Sequence, residues 1–180
     1  MRSTDTREHI VEAALALVAE RGFTATSVDD IASAAHVAKG SVFYNFKSKA
    51  GLFEAIIAEG VSRLTVALRT ASDGRHGREA VEALVGELLR QVQQHPDFAK
   101  VMVAEAFRTG RSWQDSIRQL RDDSIGTFAA VVAEEWPERD PSITAAAIFG
   151  GTLLAGLEWL AFQPDRSLDD VRRAVLSAVH

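Results

Sequence analysis

Apolar residues recur at spacings of three and four along nearly the whole chain, while alternation with a period of two is almost absent. The first stripe runs from Thr6 to Arg21, where Ile10, Val11, Ala14, Leu15, Leu17 and Val18 make one broad helical face. Gly22 is placed to end it, since glycine takes the left-handed cap conformation without a Cβ penalty. A second helix opens at "TSVDDIASAA". There Thr26 or Ser27 can accept hydrogen bonds from the free first-turn amides, Asp29 and Asp30 suit the positive end of the helix dipole, and Ile31, Ala34 and Ala35 face inwards. After a short break at "HVAK" comes a very short third helix, about Lys39 to Asn45. Ser48 caps a long fourth, Lys49 to Thr70, with Leu52, Phe53, Ile56, Ile57, Val61 and Leu64 as its apolar positions.

"SDGRHGRE" is a turn-rich linker and the clearest break in the pattern. Beyond it the periodicity predicts helices over Glu79–Gln94, Asp97–Arg108, Ser112–Trp136, Ser142–Phe162 and Leu168–Val179. Pro96, Pro137 and Pro141 fall between these segments, where a missing amide hydrogen does least harm. The expected fold class is all-α: three small N-terminal helices joined by a long helix to a C-terminal helical bundle, about nine helices in all. The domains expected are residues 1–60 and 61–180.

Composition narrows the class without choosing a function. The chain has 180 residues, no cysteine and a formal net charge of −5. Disulfides, thiolate nucleophiles and cysteine metal sites are therefore excluded, and a reducing cytoplasm is the expected location. Glu8, His9 and Glu12 interrupt the only N-terminal apolar run, unlike a signal peptide. Residues Thr144 to Phe162 have nearly the length of a bilayer crossing and one charge, Glu158, but two Thr and three Gly favour a helix buried by protein. No membrane partner is expected. His9, His36, His76, His95 and His180 are scattered over separate elements, and there is no HExxH or GxSxG motif, so neither catalysis, a metal nor a cofactor is expected.

The overall charge argues nothing for nucleic acid; the local charge does. Residues 1–60 hold six Lys/Arg against eight Asp/Glu, yet from Ile31 to Phe53 there is no acid at all, and "AKGSVFYNFKSK" carries three lysines. Two short helices joined by a tight turn, the second small and polar, form a helix-turn-helix, here about residues 27–46. A helix enters the major groove only if its leading surface is low, polar and not negative. Gly40 and Ser41 keep that surface low, and Lys39, Tyr44, Lys47 and Lys49 can donate to phosphate. Phe43 and Phe46 are expected in the core, with Tyr44 between them facing outwards and His36 on the surface of the turn.

The stretch "TSVDDIASAAHVAKGSVFYNFKSKAGLFEAI" resembles the DNA-binding region of the TetR family of transcriptional regulators, and the likeness extends over about residues 6–60. The resemblance implies that Thr26, Ser27, Tyr44, Lys47 and Lys49 hold the sugar-phosphate backbone of double-stranded operator DNA. It also implies that Ala38, Lys39, Gly40, Ser41 and Val42 approach base edges. Phe43 stands where the family commonly has Tyr, and Asn45 where His is frequent, which alters a phosphate or base contact. The function it implies is a repressor released from its operator by a small-molecule effector.

A single half-site gives little affinity, so a homodimer is expected. Its candidate surface is the apolar segment above: Ala147, Gly151 and Ala155 form a line of small residues four apart, flanked by Leu154, Glu158 and Trp159, with Val171 and Val175 of the last helix beside it. The family also implies an effector pocket in the bundle. Its candidate wall is Phe98, Met102, Phe107, Trp113, Ile117, Leu120, Phe128 and Phe149, which suggests a small apolar or aromatic effector.

Overall fold

A computed structural model describes residues 3–106, 108, 110 and 112–179, with the side chains of residues 3–5 and 120 left aside. Among them the structure is helical throughout: α1 (Ser3–Arg21), α2 (Val28–Ala34), α3 (Lys39–Phe46), α4 (Lys49–Ser72), α5 (Gly77–Gln94), α6 (Pro96–Glu105), α7 (Gln114–Leu120), α8 (Gly126–Glu135), α9 (Pro141–Phe162) and α10 (Leu168–Ser177). One π-helical turn, Arg121–Ile125, joins α7 to α8 without a break, so the described residues make nine rods. The chain divides into two compact units, Met1–Gly60 with Lys100–Ile117, and Val61–Ala99 with Arg118–His180.

In the first unit α1, α2 and α3 pack on one another. The predicted stripe of α1 supplies Ile10, Ala14 and Val18 to the core, where Ile31, Val42, Phe46, Leu52 and Phe53 meet them. The segment from Lys100 to Ile117 adds a residue whose destination local pattern does not foretell. Trp113 is almost wholly buried in this unit, its ring centroid 4.6 Å from both Phe23 and Phe53, and those two rings lie 5.2 Å apart. Offset and edge-on geometry of this kind suits the aromatic quadrupole, and the burial adds a large apolar area.

The second unit is a bundle in which α5 packs against α8, α9 and α10, and α8 against α9. Leu84, Leu88 and Leu89 of α5, Phe128 and Val132 of α8, and Ile148 and Trp159 of α9 fill its core. Gly156 permits a close approach of α9 to α5, since a Cβ there would stand 3.0 Å from Cγ1 of Val92.

Helix starts follow local chemistry. Ser27 and Asp30 form a capping box at α2, and Ser167 and Asp170 form another at α10. Hydrogen bonds from Ser27 hold the Asp30 carboxyl below its ordinary pKa, with Arg21 adding to the effect. Asp140 caps α9, accepting from the Ile143 amide at 2.9 Å, with Pro141 in the first turn.

Candidate nucleic-acid interface

The turn between α2 and α3 contains His36 at φ 54°, and α3 ends on Lys47 at φ 65°. Both are left-handed conformations held by non-glycine residues, so α3 is a short helix bounded by constrained turns. At the second turn the next helix comes close: a Cβ on Gly51 would lie 2.5 Å from the Phe46 carbonyl oxygen. Gly51 is therefore a requirement of the α3–α4 junction that residue-type reasoning passed over, though it stands inside "KSKAGLF".

The outward face of α3 carries Lys39, Gly40, Tyr44 and Lys47, with Ala38 exposed at the N-cap and Ser41 half-buried. Tyr44 is 79% exposed. His36 is also on the surface. Phe46 is core as expected, but Phe43 is 42% exposed and belongs to the outward face instead. Val42 and Phe46, four residues apart, are the buried positions of α3, and Phe43 falls beside that line and not on it.

Several assignments move when side-chain positions are followed. Val42 is 1% exposed, so it supports α3 from below and does not reach a base edge. Thr26 is equally buried, and its hydroxyl donates to the Gly22 carbonyl at 3.0 Å, which removes it as a phosphate donor. Ser27 stays at the surface, with its hydroxyl donating to Asp30 at 2.6 Å within the capping box. Asn45 Nδ2 donates to the Ser41 carbonyl at 2.8 Å along the same helix.

Lys49 is turned onto the protein. Its Nζ donates to the carbonyls of Phe23 and Thr26, each at 2.8 Å, and lies 4.1 Å from the Phe23 ring centroid. The ammonium thus ties the first turn of α4 to the loop that positions α2. Hydrogen bonds to a charged group are worth about 1.5–3 kcal/mol, less where water can replace them. Lys49→Ala is expected to lower stability by about 1–2 kcal/mol in chemical denaturation. A purely structural Lys49 leaves the salt dependence of DNA binding unchanged; loss of roughly one unit of slope shows a phosphate contact instead.

The residues expected to wall an effector pocket are divided between the two units. Met102, Trp113 and Ile117 lie in the first unit, whereas Phe98, Phe128 and Phe149 lie in the second. Phe107 and the side chain of Leu120 lie outside the described residues. Phe128 and Phe149 do meet, edge to face with centroids 5.8 Å apart. A signal that pattern reading missed is in the π turn: Ser124 is fully buried and its hydroxyl has no hydrogen-bond partner, as is also true of the Thr65 hydroxyl in the same unit.

Of the expected dimer residues, Trp159 and Val171 are buried within the chain, and the Trp159 Nε1–H donates to the Arg166 carbonyl at 2.9 Å. Packing of α10 on α9 uses them up. Ala147, Gly151, Leu154 and Glu158 are exposed, and Ala155 and Val175 are half-buried. An open, mainly apolar groove of about 670 Å³ follows this face, lined by Ile143, Ala147, Gly151, Ala155, Val175 and Val179 among others.

Residues 10–56 match the family described as "Bacterial regulatory proteins, tetR family". The chain is 30% identical to the HTH-type transcriptional regulator YvkB of Bacillus subtilis over 123 residues, 68% of this chain and 60% of that one. It is 33% identical to an HTH-type transcriptional repressor of Mycobacterium tuberculosis over 132 residues, 68% of this chain and 64% of the relative. The chain thus spans less than two thirds of the length of these curated relatives. A TetR-like transcriptional regulator from Rhodococcus shares the fold at TM-score 0.85, with 24% identity over 99% of this chain and 95% of that one. Residues 10–56, the helix-turn-helix region built by α1 to α4, thus belong to the tetR family of bacterial regulatory proteins.

Proposed function

We propose that the protein is a homodimeric, sequence-specific regulator of transcription that binds double-stranded operator DNA through α3, acts as a repressor and is released by a small effector held in the second unit. Gly40 carries the DNA reading. Glycine is a poor helix former, yet a Cβ at Gly40, in the first turn of α3, would meet no atom of the described residues within 4 Å. Nothing among the described residues requires the glycine, and the low surface it leaves lets an outside partner approach α3 closely. The flanking Lys39, Ser41, Tyr44 and Lys47 give that approach the polarity and charge a DNA groove demands. Ser27, Ala38 and Asn45 border it.

The dimer reading rests on α9. By length and apolar composition this helix could cross a membrane, yet only 28% of its most apolar window is buried. Ile143 is 71% exposed and Phe162 76%. Contiguous apolar surface of this extent marks an interaction site, and the line of small residues along the groove allows a second α9 to come close. A second copy related by a two-fold axis serves both this surface and the paired half-sites of an operator, which a bilayer does not.

Effector binding is supported by the buried hydroxyls of Ser124 and Thr65. An unpartnered buried hydroxyl costs free energy that a ligand group can recover, and π turns are frequent at functional positions. The ligand class is a small apolar or aromatic molecule with a hydrogen-bonding group. Both α4 and the rod from α7 to α8 run from one unit into the other, so a ligand with different affinities for two bundle conformations can shift α3.

The test is selection of bound duplexes from a random-sequence pool by the full chain. The expected result is enrichment of one two-fold symmetric sequence, its half-sites one or more helical turns apart. Recovery of unenriched DNA, or of none, would overturn the reading.

A further inference from the structure

The acid-free stretch beginning at Ile31 leaves a question about the acids just before it. Asp30 is engaged locally, by Ser27 at the α2 cap and by Arg21 at 3.0 Å. Asp29 is different. Its carboxylate reaches across the turn to Lys39, the first residue of α3, with Nζ 2.8 Å from Oδ2. The Asp29 side chain is 70% exposed and that of Lys39 53%, so the pair lies at the surface where α3 begins, next to Gly40.

An exposed ion pair of this kind contributes little to folding, because water screens it and two long side chains lose freedom to form it. Its position has another consequence. A carboxylate beside a phosphate backbone weakens binding to every duplex, whatever the sequence. Meanwhile an ammonium that donates one N–H to Asp29 keeps two further donors, and their directions are restricted by the tether. A free lysine follows any phosphate within reach; a tethered one is useful only where an acceptor lies on its remaining directions.

We propose that Asp29 is a positioning residue for Lys39 and that the pair is a specificity-determining device of α3. Asp29 lowers affinity for all duplexes, and the aimed ammonium restores it where a base presents acceptors in the major groove opposite the first turn of α3. Guanine, with O6 and N7, is the acceptor class that fits. This inference rests on the reading that α3 enters the groove.

The test uses the full chain, the duplex it selects from a random pool, and a scrambled duplex of the same composition. Affinities are read by fluorescence anisotropy over a range of salt. Asp29→Asn is expected to tighten binding to the scrambled duplex and to reduce the selected-to-scrambled affinity ratio about fivefold or more. Asp29→Glu, which keeps the charge, is expected to keep most of that ratio. In a Lys39→Ala background, Asp29→Asn is expected to change both duplexes equally. A purely structural role at the α2 N-terminus lowers the melting temperature and leaves the ratio unchanged. An unchanged ratio in Asp29→Asn, or an equal fall in it with and without Lys39, overturns the assignment while leaving the DNA reading intact. A wild-type chain that selects no sequence overturns the DNA reading, and this inference with it.

Discussion

Trp113→Ala is expected to destabilise the protein by about 3–5 kcal/mol, the range for truncating a large buried aromatic. The side chain is 2% exposed and is stacked edge-on against both Phe23 and Phe53. Its removal leaves a cavity bordered by two rings that are themselves fixed by the α1–α2 loop and by α4. Phe23 also lies beneath the Lys49 ammonium and presents its carbonyl to it. Relaxation to fill the gap therefore disturbs the loop that leads to the α2 cap. The effect is expected as a lower denaturation midpoint and as loss of the near-ultraviolet dichroism of the aromatic cluster. Trp113→Phe, which keeps a ring in the site, should recover a large part of the loss. A cost below about 1 kcal/mol for the alanine variant would show that the three rings are not the core of this unit.

Gly151→Arg is expected to convert the proposed dimer to a monomer without unfolding the chain. A Cβ at Gly151 meets nothing within 4 Å among the described residues, so the arginine has room in the single chain and replaces a poor helix former with a good one. In the proposed dimer the same position lies in the apolar groove of α9 and α10, where a guanidinium has no partner and its burial is prohibitive. Sedimentation should give half the mass, with unchanged helical dichroism. Operator affinity should fall by about 10²-fold or more, because the second half-site no longer profits from the effective concentration provided by the first. A variant that remains dimeric would remove this face from the interface and would leave the exposure of Ile143 and Phe162 without a partner.

Helix content was legible because it is local. Apolar positions three and four apart bury one face whatever the rest of the chain does, and Ile10, Ala14 and Val18 do so as the spacing predicts. Capping is local as well: Ser27 and Asp30 are three residues apart, and their mutual hydrogen bonds need no distant segment. The break after α4 falls at the turn-rich linker for the same reason. The π turn escaped notice because one wider turn leaves the apolar rhythm of the rod from Gln114 to Glu135 nearly unaltered.

The candidate site divides along the same line. The acid-free character of α3, its small Gly40 and its outward Tyr44 are matters of residue type and helical phase, so they could be read from the chain before folding. Which cation faces outwards could not. Lys39 and Lys49 are the same residue type in one short segment, yet the first pairs with Asp29 on the surface and the second ties down carbonyls 26 and 23 residues earlier in the chain. Thr26 and Val42 turned inwards, and Trp113 joined the helix-turn-helix unit, by the same kind of distant encounter. A helix face is decided within a few turns by the geometry of the backbone. The partner of an ammonium, a hydroxyl or an indole is decided by segments that become neighbours only when the chain has closed upon itself.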